Sequence, residues 1–456
     1  MTEPQPDLDQ PVSPAASPAP GTPAMDPATV LRSRAYLSAL VLAAILGIPI
    51  SAAAYGFLAL VTKIQGVVFQ DLPNDLFTGG APAWWPVPWL ALCGLLTGAT
   101  VRYLPGNGGH SPAKGFQTGG TPVDRELPTI ILAALATLSL GAVLGPEAPL
   151  IAIGGGLAAL AVHLLNKDAP PMALTIMASA GSFAAISTLL GSPILGAFLI
   201  MEVAGIGGVT LSLVALPGLL ASGVGALVFI GLDNWTGLGT FSLALTSVPP
   251  SVEPTTALMA WALVVGVAAS LLGWAIRWVG LSLRPVVHLN RVLVTTALGL
   301  VIGLVAMAYQ LISDHSATQV LFSGQDALPE LVAHVADYSV ATLVLLGCCK
   351  MAMYGLSLSA FRGGPIFPAM LVGAVLGMVM AGLPGMSTAP AIAMGIGAMC
   401  VAMLRLPLTS TLLAVLLLGA DGASVTPEVI VAVVVGFLVT SVLPTPGPKE
   451  PTPASA

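Results

Sequence analysis

Long apolar runs, broken by Gly and Pro more often than by charge, fill the chain from Leu37 to Val442. The segments are Leu37–Val61, Trp84–Leu104, Leu127–Val143, Pro149–Leu165, Met172–Leu190, Leu211–Leu232, Ala257–Leu281, Val292–Leu311, Ser339–Leu356, Ala369–Leu383, Ala389–Leu404, Leu408–Leu418 and Val429–Val442. Crossing the hydrocarbon core of a bilayer takes about 17–25 apolar residues, and only helices and closed barrels satisfy their backbone polar groups there. The pattern predicts an all-α polytopic membrane protein. Several segments are short and crowded, and the two flanking Gly145-Pro146 cannot each cross the bilayer and turn round in water. They predict broken or re-entrant helices, tolerated where protein buries the irregular backbone.

Composition agrees: 7% of the residues are charged and 56% are hydrophobic, against about 25% and 45–50% in soluble domains. Residues 1–30 are Pro-rich and acidic, a composition that cannot bury a core and predicts a disordered tail. Arg32 and Arg34 just before the first apolar segment place that tail in the cytoplasm by the positive-inside bias. The short Pro-rich end 444–456, carrying Lys449, is expected on the same side. Cys93, Cys348, Cys349 and Cys400 lie singly or adjacent in apolar segments, without the spacing of a metal site or a disulfide framework. No metal and no cofactor are implied, and without a basic patch there is no nucleic-acid partner.

An internal repeat organises the remaining 31–443. The run from Gly145 to Gly154 aligns without gaps on that from Gly364 to Gly373, with Gly, Pro, Pro and Gly in register. At nearly the same offset, Ser192-Pro193-Ile194-Leu195 matches Leu406-Pro407-Leu408-Thr409. Two matches in the same order indicate duplicated halves, about 31–232 and 255–443, a common construction of transporters.

Each Gly-Pro-x-x-Pro element puts a helix start at membrane depth, where unpaired N–H groups and the positive end of the helix dipole attract anions. The Gly-rich turn Gly106-Asn107-Gly108-Gly109-His110-Ser111-Pro112 is a third candidate. Glu147 stands in the first of these starts with no Lys or Arg nearby, and intramembrane acids mark ion pathways. When ionised it would occupy the anion site itself; when protonated it would leave, acting as gate and proton acceptor together. Glu202, near the end of the helix that begins at Pro193, is a second candidate for proton handling or a solvated helix end. His163 carries no evident chemistry. Lys350, Arg362 and Arg405 would draw anions inward or anchor at the interface.

These residues resemble the CLC family of chloride channels and proton-coupled chloride transporters. The family's Gly-x-Glu-x-Pro motif matches Gly145–Pro149, its Gly-x-Phe-x-Pro motif is echoed by Gly363–Pro368, and its Arg-x-Pro-Leu-Thr stretch appears as Arg405–Thr409. The resemblance covers roughly residues 35–443. It implies two inverted-topology halves of tilted and broken helices, and a homodimer with one anion pathway per subunit. Glu147 would be the gate, and backbone amides following it (Ala148) and at Ile366 and Phe367 would bind chloride.

Four departures accompany the match. The family's first motif carries a coordinating Ser where Gly109 stands, leaving Gly109, His110 or Ser111 to line that part of the site. Pro365 lacks an N–H, and Phe367 directly precedes Pro368, so one donor would be missing or displaced. The family's C-terminal Tyr has no counterpart in Gly436–Pro444. The relay Glu of proton-coupled members falls at Val203, and Glu202 beside it points about 100° away around a helix. Channel and proton-coupled antiporter both stay open, tilted toward the channel.

The expected function is therefore anion transport in the cell membrane, with chloride or a similar small anion, protons in the antiporter reading, and the lipid bilayer as partners. A sulfate-type carrier would use the same helix-start physics but gives no reason for an acid in its own site. An intramembrane hydrolase built on Ser182 or Ser192 with His163 lacks both the Gly-x-Ser-x-Gly turn and an orienting acid.

Overall fold

A computed structural model of the chain describes residues 31–115, 126–205, 208–245 and 253–445. The tail 1–30 and nearly all of 444–456 lie outside the described residues. Helix α1 (Arg34–Gly66) runs on through a π-helical turn to Leu76, carrying Pro49 within it. It is followed by α2 (Pro86–Tyr103), α3 (Leu127–Ser139), α4 (Glu147–Leu165), α5 (Pro171–Ala185), α6 (Pro193–Val203) and α7 (Gly208–Thr236). The second half comprises α8 (Thr256–Leu289), α9 (Arg291–Ser313), the short α10 (Ala327–Ala333), α11 (Val340–Ala360), α12 (Ile366–Met380), α13 (Thr388–Leu404), α14 (Pro407–Leu417) and α15 (Thr426–Val442).

Leu211–Thr236 of α7, and α1, α4, α8, α9 and α11, are long and apolar enough to cross a membrane. The others are the short helices expected of a broken-helix protein. Prolines explain several starts: α2, α5, α6, α14 and α15 each carry one at the first or second position, where its missing N–H leaves no bond unmade. Two boundaries differ from the apolar pattern because a helix start tolerates an acid. α4 begins at Glu147, ahead of Pro149, and α15 begins at Thr426, taking Glu428 into its first turn.

The packing repeats itself. In the first half α1 packs on α5 and α7, α4 on α5, and α6 on α7; in the second, α8 packs on α13 and α15, α12 on α13, and α14 on α15. Glycines set the closest crossings. Gly154 and Gly181 face each other backbone to backbone between α4 and α5, and Gly373 and Gly395 do the same between α12 and α13. A side chain at any of the four would collide with the opposite carbonyl.

Where the halves meet, equivalent elements meet. α2 lies against α9: a Cβ on Gly94 would strike the Thr295 carbonyl and one on Gly299 the Leu90 carbonyl, while Gly98 sits on Val292 and Gly303 on Val87. One offset relates Val87, Leu90, Gly94 and Gly98 to Val292, Thr295, Gly299 and Gly303, so the contact is reciprocal, as a two-fold axis requires. α6 likewise packs on α14. The fold is two inverted-topology halves clasped through like elements.

Candidate functional site

Two helix starts converge at the junction. α4 begins after Pro146 and α12 after Pro365, neither with a side-chain cap. The residues before them form the single β-bridge among the described residues: Gly145 N–H donates to Gly364 O over 2.7 Å, and Gly364 N–H to Gly145 O over 2.6 Å. Because Pro149 and Pro368 also lack N–H groups, the amides available are those of Glu147, Ala148, Ile366 and Phe367.

Glu147 is fully buried. Its Oε1 accepts a hydrogen bond of 2.8 Å from the Phe367 amide, so an acid of the first half lies in the helix start of the second. The amides of Ile366 and of Glu147 itself also point toward the carboxylate. Oε2 has no hydrogen-bond partner. A Cβ on Gly364 would clash with Oε2, and one on Gly145 with both oxygens. The two glycines are thus required by the carboxylate lying flat against the bridge. The donor expected to be lost at Pro365 is lost, yet Phe367 supplies its own.

α11 supports both starts. Ser357 Oγ accepts from Val143 N at 3.1 Å, holding the segment that leads to Glu147, and buried Tyr354 donates its hydroxyl to Pro365 O at 2.7 Å. Tyr354 and Cys400 both lie within electrostatic reach of Glu147. The tyrosine sought near the C-terminus is therefore absent there, while α11 brings a different one to the site. Its signal in the sequence was a lone phenol inside a long apolar helix.

The Gly-rich turn joins the site through Arg362, whose Nε and Nη2 donate to Asn107 O at 3.2 and 2.9 Å. Within the turn, Gly109 has φ +85° and its N–H donates to Gly106 O at 3.1 Å. His110 is exposed, and Ser111 precedes the 3-10 turn Pro112–Lys114 without capping it. Arg362 and Lys350 are buried, not interfacial. Lys350 Nζ donates to Leu321 O and Phe322 O at 2.7 and 3.0 Å, pinning a loop whose Phe322 N–H in turn reaches Gly141 O.

Glu202 is bound elsewhere. Its Oε1 accepts from Leu408 N at 2.9 Å, and its Oε2 from Thr409 N and Thr409 Oγ1 at 2.7 and 2.6 Å. The carboxylate caps α14, replacing the donors' missing intrahelical partners. A further acid escaped the sequence reading: Glu428 is fully buried with neither oxygen bonded.

A carboxylate is held among helix-start amides at a crossing of inverted halves, and the sequence profile of voltage gated chloride channels matches residues 123–441. The chain belongs to the voltage-gated chloride channel family. The fold is that of the family. A slow cyanobacterial Cl⁻/H⁺ antiporter superposes with a TM-score of 0.69 at 20% identity, over 89% of this chain and 95% of that one. A CLC-type fluoride/proton antiporter superposes with a TM-score of 0.63 at 17% identity, over 90% and 96%. YfeO of Escherichia coli, provisionally assigned to ion transport, is 29% identical over 357 residues, covering 76% of this chain and 80% of its own.

Proposed function

We propose that this member of the family carries chloride, or a similar small anion, across the membrane through a pathway closed by the Glu147 carboxylate. The observation that carries the reading is the Phe367 N–H to Glu147 Oε1 bond. An amide at an apolar helix start binds an anion, and here the protein's own carboxylate takes that place. Opening requires the carboxylate to leave, and protonation removes the charge that holds it.

A second reading, exchange of the anion for protons, is favoured by the bare, buried Oε2, an oxygen on which a proton would displace no hydrogen bond. Both structural neighbours are proton antiporters by description. The two readings share gate and anion site and differ in whether proton movement accompanies flux. In either, Ile366, Phe367 and Ala148 would offer amides to the anion once Glu147 withdraws, and Tyr354 would fix the Pro365 end of α12. The working form would be a homodimer in the cell membrane with both termini cytoplasmic.

The test is purified protein in liposomes, with chloride efflux and proton movement recorded together. Chloride-driven uphill proton movement establishes the exchanger; chloride efflux with no proton movement establishes the channel. Absence of any anion flux overturns both.

A further inference from the structure

Lys350, Tyr354 and Ser357 follow one another at spacings of four and three, so they share one face of α11. Each bonds a different segment. Ser357 accepts from the Val143 amide and Tyr354 donates to the Pro365 carbonyl, both at the helix starts, while Lys350 holds the carbonyls of Leu321 and Phe322. Lys350 is fully buried near the middle of α11, and among the described residues no acid is paired with it. A cation at membrane depth is costly, and a purely structural tie between a helix and two carbonyls does not call for one.

What Lys350 holds is strained. Phe322 has φ +57°, a left-handed conformation that a bulky aromatic residue seldom adopts and that persists only where its surroundings impose it. Three contacts do so. Lys350 Nζ lies 3.0 Å from its carbonyl oxygen, its own N–H donates to Gly141 O at 3.2 Å, and its ring meets that of Phe69 edge to face with centroids 5.0 Å apart. Gly141 opens the segment that runs to Gly145, the bridge partner of Gly364, and on to Glu147. Every residue from Leu140 to Glu147 is buried, and close packing there leaves little slack to absorb a shift. The far end of the Phe322 loop meets the other half of the gate, since a Cβ on Gly324 would clash with Leu371 of α12. Gln325 Nε2 then donates to Phe241 O at 2.8 Å, tying that end down.

We propose that Lys350 is a positioning residue for the gate: by holding Phe322 in its left-handed conformation it fixes the Gly141 carbonyl, and through the buried Gly141–Gly145 segment the bridge that presents Glu147 to the Phe367 amide. This rests on the reading above that Glu147 closes an anion pathway. The link is continuous, from Lys350 Nζ to Phe322 O, from Phe322 N–H to Gly141 O, along the backbone, and from Gly145 N–H to Gly364 O. Lys350 touches neither the carboxylate nor the amide that binds it and acts on both by placing one of them.

The experiment reads chloride efflux from liposomes against pH, together with hydrogen exchange at the amides of Val143 and Gly145. Lys350→Met keeps an unbranched side chain of similar length and removes the donors. It is expected to raise efflux at neutral pH about fivefold, the scale of one hydrogen bond's hold on the gate. The pH of half-maximal efflux should move up by about 0.7 unit, the same factor on a logarithmic scale, because a carboxylate held less well takes up a proton more readily. Combined with Glu147→Gln, Lys350→Met should change efflux by less than about twofold. Exchange at Val143 and Gly145 should quicken. Gly141→Ala disturbs the other end of the same link without touching the lysine: a methyl there meets its neighbours at an ordinary 3.5 Å, but φ +105° does not suit it. It should reproduce the rise, and it decides the matter if Lys350→Met does not fold. A folded Gly141→Ala or Lys350→Met protein with wild-type efflux and pH profile overturns the proposal, even if it melts lower. So does an equal rise with and without Glu147→Gln. If the wild type moves no anion while exchange still quickens in Lys350→Met, the transport reading fails and the positioning stands.

Discussion

Gly145 and Gly364, equivalent positions of the two repeats, donate to each other's carbonyls across the pseudo-two-fold axis. The pairing fixes the distance between two helix starts that a single carboxylate then spans. Symmetry supplies two equivalent anion-attracting ends, and Glu147, facing Ile366 in the aligned repeat, breaks it. One half provides the plug and the other the socket.

A methyl group at Gly364 tests that geometry directly, because it would clash with Glu147 Oε2 where the carboxylate now lies. Gly364→Ala is expected to push the carboxylate off the Phe367 amide and increase chloride efflux, at a stability cost of about 1–3 kcal/mol for overpacking. Efflux from liposomes and melting in detergent are read together. A folded variant with wild-type efflux would show that the carboxylate is not the barrier.

Titration of the gate gives a signed pH prediction. Protonated Glu147 loses the charge-assisted part of its bond to Phe367 N, so flux through wild-type protein should rise as pH falls. Glu147→Gln keeps an acceptor oxygen but cannot titrate. It should loosen gating, flatten the pH profile and abolish any proton coupling. A Gln variant with the wild-type pH response would assign the titration to another group, with buried Glu428 the first to examine.

Glu202 makes a contrasting prediction. As the cap of α14 it should matter for stability: Glu202→Ala orphans the Leu408 and Thr409 amides and should cost about 2 kcal/mol, while Glu202→Gln retains part of the cap. Proton coupling, if measured, should follow Glu147 and not Glu202. Coupling lost in a Glu202→Ala protein that melts normally would restore Glu202 to the proton path.

The repeat, the broken helices and Glu147 were legible because Gly, Pro and an acid in an apolar run each carry a local physical meaning. What those signals do not encode is which groups meet across the fold. Glu202 reads as an intramembrane acid, yet its role as a cap depends on α14 arriving beside α6. Lys350 and Arg362 read as cations near a helix start, yet both are enclosed and bonded to carbonyls, Lys350 to those of Leu321 and Phe322. The family's C-terminal Tyr has no counterpart in Gly436–Pro444, and the phenol beside the second helix start, Tyr354, comes from α11. The Gly94 and Gly98 spacing in α2, mirrored by Gly299 and Gly303 in α9, was visible as small residues four apart, but only the crossing shows that the two pairs face each other.

That crossing is itself testable. Gly94→Ala and Gly299→Ala each place a methyl against a carbonyl of the opposing half, Thr295 and Leu90 respectively. Each should lower stability by about 1–3 kcal/mol, since the backbone cannot yield as a side chain does. The pseudo-two-fold relation predicts closely similar losses for the two. Thermal unfolding in detergent compares them, and a large loss in one with none in the other would contradict a reciprocal contact.

Tyr354 links stability to gating through one hydrogen bond. Its hydroxyl donates to Pro365 O, a carbonyl that also receives the Ala369 amide and directly precedes the amides of Ile366 and Phe367. Tyr354→Phe removes the hydroxyl and keeps the buried ring, so it should cost about 1 kcal/mol. Because Pro365 orients the start of α12, the same change should weaken the Phe367 hold on Glu147 and raise basal chloride efflux. If it acts by that route, the increase should largely vanish when combined with Glu147→Gln, where the hold is already weakened. An equal increase on both backgrounds would instead place the Tyr354 hydroxyl on the anion path independently of the gate.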